Sequence, residues 1–252
     1  MLKMRRSIAA ILCGVMLLSV FTACGKKDDK KYVSPNLNNP TTDNTATGSD
    51  ARSNYSVPGD YSSYSPASPL DATKDDKKSQ SITGYYTDSV YYNEFAGFAL
   101  QVDNNTWRFY DAATVASLTD ATEDEINNYW YGVSSPYATK LTYCAVAYSK
   151  ETGSNIIISY VNPKAYYMSD LTPVEYLNMT ASKYTGLTVS EGPYLGKTYA
   201  MLDIPADQSS IGERAQFVTE VEGLLVVITY TVQEGDSLKS LSNHIVQLNT
   251  KK

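Results

Sequence analysis

The chain has 252 residues, a net charge of −6, three cysteines and one histidine, and tyrosine is unusually frequent at 22 residues. An acidic balance without basic clusters excludes an ordinary nucleic-acid surface. Cys13, Cys24 and Cys144, scattered and without CxxC spacing, exclude a disulfide framework and a zinc ribbon.

Lys3, Arg5 and Arg6 form a positive start, and Ile8 to Phe21 is then almost wholly apolar over about 14 residues. A membrane-crossing helix needs roughly 20. A positive flank, a short apolar core and small residues before a break make a signal peptide. The break, Phe21-Thr22-Ala23-Cys24-Gly25, resembles the bacterial lipobox, with Phe21 where that pattern usually has Leu. The resemblance implies cleavage before Cys24 and a diacylglyceryl thioether on its sulfur. A plain secretory peptide and an uncleaved anchor are the alternatives. Cys13, inside the apolar core, leaves with the signal.

Loss of Lys3, Arg5 and Arg6 leaves 18 basic side chains against 27 acidic ones. Nothing polybasic then assists contact with an anionic membrane, so lipid must supply the attachment.

From Cys24 to about residue 84 the chain is rich in Asn, Asp, Ser, Thr and Pro, with isolated Tyr, and lacks the apolar density to bury a core. A disordered tether over 24–84 is expected, spanning roughly 40 Å as a coil. Residues 85–252 are long enough for one domain with a sizeable core.

Within that domain, Val90–Phe95 and Gly97–Val102 read as short strands, followed by Trp107-Arg108-Phe109-Tyr110. Asp111–Leu118 fits a short helix. Thr122 and Glu125 match a capping box ahead of Ile126, Tyr129 and Trp130. Leu141–Ser149 and Asn155–Val161 read as strands, the second with the unbroken apolar centre of a strand covered on both faces.

Thr172-Pro173-Val174-Glu175 gives the clearest helix start, and Gly186 is its expected stop. Strands are expected near Leu187–Ser190 and Tyr199–Ile204, then a hairpin of Gln216–Val221 and Leu224–Val232 over Glu222-Gly223. Ser237 can cap a last helix with Leu238, Leu241, Ile245 and Leu248 on one face. This order, with its hairpin and without strict βαβα alternation, predicts an α+β fold: a mainly antiparallel sheet with helices on its faces.

Few residues offer catalytic chemistry. His244 sits beside the stripe of the expected last helix, and Cys144 lies in a strand as a buried thiol. No GxSxG elbow or SxxK spacing occurs. Asp120, Glu123, Asp124 and Glu125 lack the calcium-loop order, and helix N-terminal placement explains them. Gly192–Thr198 ends in Gly-Lys-Thr but is one residue short of a phosphate loop, so it reads as a turn between strands. No catalytic residue, metal or cofactor is expected. Trp107, Trp130 and Tyr131 are the aromatic candidates for ligand or glycan binding.

Tyr92-Asn93-Glu94-Phe95-Ala96-Gly97-Phe98-Ala99-Leu100-Gln101-Val102, then Trp107-Arg108-Phe109, resembles the opening of PsbP-like lipoproteins of clostridial bacteria. Asp103-Asn104 stand where the family's turn has Pro. The resemblance runs over roughly 85–252 and implies a PsbP-type α+β sandwich, an antiparallel sheet with helices on both sides. It also implies a non-enzymatic accessory, assembly or binding role. The expected protein is lipid-anchored through Cys24 on the extracytoplasmic face of a cell membrane, with an envelope protein or glycan as partner.

Overall fold

A computed structural model describes residues 70–71, 81–209 and 211–249. Cys24, the leader and most of the expected tether lie outside the described residues.

Two sheets carry the domain. The strands are β1 (Leu70–Asp71), β2 (Tyr85–Thr87), β3 (Val90–Asn93), β4 (Phe98–Gln101), β5 (Trp107–Phe109), β6 (Leu141–Ser149), β7 (Asn155–Val161), β8 (Ser190–Tyr194), β9 (Lys197–Ile204), β10 (Glu213–Val221), β11 (Leu224–Val232) and β12 (Ile245–Asn249). The helices are α1 (Ala112–Leu118), α2 (Glu123–Trp130), α3 (Pro163–Tyr167), α4 (Pro173–Ala181) and α5 (Leu238–Ser242). The larger sheet runs β5-β6-β7-β11-β10-β9-β8 and the smaller β1-β12-β4-β3-β2. Every pairing is antiparallel except the two-residue one of β1 with β12. The α+β class and antiparallel character expected from the sequence are present.

Strand residues alternate between faces, and β11 shows what that alternation buries. Leu224, Val226 and Ile228 join Tyr91, Phe98 and Leu100 of the smaller sheet in one core. Leu225 and Val227 join Tyr176, Leu177 and Ala181 of α4 in another, on the opposite face. Val146 and Ile157 meet Ala112, Val115 and Ile126 of α1 and α2 in a third. The layers are therefore small sheet, large sheet, helices. The second sheet occupies the face where the resemblance implies helices. Among the helices only α5 reaches that side, through Leu238 and Leu241.

Local chemistry sets several boundaries. The Thr122–Glu125 and Thr172–Glu175 capping boxes both form, with Pro173 in the first turn of α4. Asp111 caps α1 by accepting from the Thr114 N–H. The β10–β11 hairpin turns through Glu222 and Gly223, both at positive φ, as a two-residue turn matched to strand twist requires. Gly192–Thr198 is the β8–β9 hairpin, turning the same way at Leu195-Gly196.

Several boundaries differ from the sequence reading. The expected last helix stops at Ser242, and Ile245 to Asn249 form β12 against β4. Leu238, Leu241, Ile245 and Leu248 fit helical spacing, but β-branched Ile245 and Val246 complete an open sheet edge instead. Helix α4 ends at Ala181, capped by Ser182, well before Gly186. The strand expected at Leu187–Ser190 begins at Ser190 and runs through Tyr194. Ahead of β2, the buried Thr83 donates its hydroxyl to the Tyr129 carbonyl at 2.6 Å.

Candidate functional site

Among the described residues, an open cleft sits among the helices, over β6. Helices α1 and α2 pack on the β6 side of the large sheet, and α4 on β9 and β10. The cleft, of about 690 Å³, lies between the α1–α2 pair and α3. Thr119, Asp120 and Ala121 of the α1–α2 connection form one wall, Lys140 and Leu141 the approach to β6, and Tyr166 of α3 the far side. Tyr129 and Tyr143 also line it.

The electrostatics of the cleft centre on Asp120. Burial, and then the nearby Asp120 charge, push the Tyr143 hydroxyl well above the usual phenol range; the same two causes raise Tyr166. Tyr167, next along α3, is pushed up to about 12 by burial and its neighbour Tyr166. The phenols therefore stay protonated, able to donate as well as accept. Glu125 reaches the cleft, but its carboxylate already accepts from the Thr122 N–H at 2.7 Å and hydroxyl at 2.9 Å. Asp120 is thus the carboxylate that the capping box leaves for the cleft. Rings, protonated phenols and one acid suit the side chains of a protein partner or the hydroxyls of a polyol.

The sequence-predicted aromatic residues are not brought together. Trp107, on β5, is buried, with its ring 4.4 Å from that of His244. Trp130 ends α2, donates its indole N–H to the Tyr143 carbonyl at 2.9 Å, and packs on Tyr86. Tyr131 alone presents its ring to solvent, at 79% exposure. The aromatic residues of the cleft itself, Tyr129, Tyr143 and Tyr166, were not singled out by sequence. The alternation of Tyr143 with apolar residues in β6 was the available signal.

The two groups with intrinsic nucleophilic or basic chemistry are built into the packing. Cys144 is fully buried at a register shift of β6, and burial raises its thiol far above the usual range. Its carbonyl accepts from the Tyr86 hydroxyl at 2.9 Å. His244 lies in the turn between α5 and β12, not on a helix. Its Nδ1 is 2.8 Å from the Gln101 carbonyl, which can only accept, so Nδ1 carries the hydrogen. Among the described residues, no three His, Cys, Asp or Glu side chains gather as a metal site, and no helix is long and apolar enough to cross a membrane.

No family model matches the chain, and no curated protein matches it.

Proposed function

We propose that this chain is a lipid-anchored protein of the extracytoplasmic membrane face, whose PsbP-like domain serves as a non-catalytic interaction or assembly module. The tether half rests on the charged start, the short apolar core and Phe21-Thr22-Ala23-Cys24-Gly25. The PsbP-like assignment rests on the Tyr92–Val102 and Trp107–Phe109 resemblance; the antiparallel α+β class is in keeping with it, whereas one face of the large sheet carries a second sheet in place of helices.

The observation that carries the interaction half is the open cleft, lined by phenols and Asp120. A second reading, binding of a glycan or other small polyol, draws on the same lining, because phenol rings pack on apolar sugar faces while their hydroxyls pair with sugar hydroxyls.

Two measurements test the proposal. Cys24→Ser should abolish fatty-acid labelling and move the protein out of the membrane fraction; a variant that stays in the membrane refutes the anchor. A photo-crosslinking residue at Tyr166 should trap a discrete envelope protein in cells. Trapping of none, together with a thermal shift by cell-wall sugars, would favour the glycan reading.

A further inference from the structure

The helix-facing side of the large sheet is interrupted by polar side chains. Arg214, Thr231 and Asn155 stand opposite one another across β10, β11 and β7, and Gln216 stands opposite Thr229 in the adjacent row. Directly opposed residues share a face. The five therefore form one polar floor, about 10 Å wide over two strand spacings. Leu202 and Ile204 bound it on the α4 side, and Val146 and Ile157 on the α1–α2 side.

All five are more than nine-tenths buried, at 5–8% exposure. Their hydrogen bonding is incomplete. The Gln216 amide nitrogen donates to the Thr229 hydroxyl at 3.3 Å, which leaves Gln216 Oε1 without a donor. Asn155 Oδ1 and Arg214 Nε also lack partners. Arg214 forms no ion pair with a carboxylate of the described residues; Tyr184, which takes a hydrogen bond from it, and Tyr176 are its polar neighbours. A buried cation without a counter-ion is costly, and so are buried amide oxygens without donors. Here all three fall on one floor.

Their chemistry is complementary to a specific ligand. The guanidinium calls for an anion and the two amide oxygens call for N–H groups. A single guanidinium matches a singly charged carboxylate, whereas a phosphate would bring a second charge against the two amide oxygens. We propose that this floor binds a small carboxylate with an N–H group beside it: a free amino acid, or the C-terminal end of a peptide. The carboxylate sits on Arg214 and the N–H reaches Asn155 Oδ1 or Gln216 Oε1. The floor lies at the end of the sheet, because Asn155 is the first residue of β7 and Ile204 the last of β9; its three unpartnered atoms have almost no exposed surface, so entry requires the cover over that end to open. This inference is independent of the cleft and of the interaction role.

The test uses the full lipidated protein, ¹⁵N-labelled, in detergent micelles. N-acetyl-L-alanine represents a peptide end and L-alanine the free amino acid; N-acetyl-L-alanine methylamide lacks the carboxylate. The Arg214 Nε–H resonance should move saturably with one or both carboxylates and not with the methylamide, and the stronger of the two identifies the source. Arg214→Met should abolish the accompanying saturable shift of the Asn155 side-chain amide while leaving the melting temperature unchanged or higher, since an unpaired buried charge is removed. Gln216→Met, which keeps Arg214, should weaken binding about tenfold. No saturable shift with either carboxylate at tens of millimolar, or an equal shift with the methylamide, would overturn the proposal and leave the floor to solvent.

Discussion

Asn93 has no exposed surface, and its side chain is used across the seam between the two sheets. Its Nδ2 donates to the Tyr91 hydroxyl at 2.9 Å and to the Tyr160 hydroxyl at 2.6 Å, while its Oδ1 accepts from the Ala96 N–H at 2.9 Å. The two hydroxyls donate onward to the carbonyls of Thr83 and Ile82. Asn93→Leu strands this network in an apolar core, and should lower the unfolding free energy by about 3 kcal/mol in urea titration. Tyr160→Phe removes only one arm and should cost less. His244 gives a second measurable consequence. Burial depresses its pKa, with the Gln101 hydrogen bond and the charges of Asp236 and Asp103 opposing. Its contribution is present above the unfolded value of about 6.5 and is lost as pH falls through the folded value. Unfolding free energy measured against pH should therefore decline on acidification below about 6.5, and His244→Gln should flatten that decline. Sequence could name His244 and Trp107 as residues with chemistry, but not the contact between their rings, because they are far apart in the chain.

At the scale of elements, legibility followed local chemistry. Capping boxes, Pro173 at a helix start and the Glu222-Gly223 turn act within a few residues, and each is where the sequence puts it. Thr172→Ala should cost about 1 kcal/mol through loss of the α4 cap, read as a lower denaturant midpoint with unchanged slope. The partner carboxylates, Glu125 and Glu175, are held below their usual range by backbone and side-chain hydrogen bonds from Thr122 and Thr172. Their effect on stability is lost as pH falls through those depressed values. The last strand was not legible, since Leu238, Leu241, Ile245 and Leu248 satisfy one helix as well as a turn of helix followed by a strand. What decides between them is the free edge of β4, a feature of tertiary structure. The polar floor was hidden for a related reason. Arg214 and Gln216, like Thr229 and Thr231, alternate with apolar neighbours, but only the register of β10 on β11 puts the two pairs side by side.

For the whole molecule, sequence supplies β3 and β4 as strands but not their union with β2 and β12 into a second, separate sheet. Its strands are three to five residues long apart from the two-residue β1, and the pairing that builds it joins β4 to β12 across most of the domain. Short strands carry little periodicity, and distant pairings leave no local mark. The larger sheet, by contrast, has nine-residue strands, and every residue of β11 is buried. Amide hydrogen exchange should therefore be slowest in β7, β10 and β11, and fastest in β2 and β8 at the rims.

At the rim opposite β2, β1 pairs with β12 in the Leu70–Leu248 and Asp71–Asn249 register. Among the described residues, that pairing is the first on the N-terminal side. A mechanical load applied along the chain from that side reaches these two, among the described residues, before it reaches any longer strand. Peeling them away uncovers the backbone of β12 as an open edge, a template for another strand. Tension at this rim would then become a change in what the sheet can pair with, while the larger sheet stays intact.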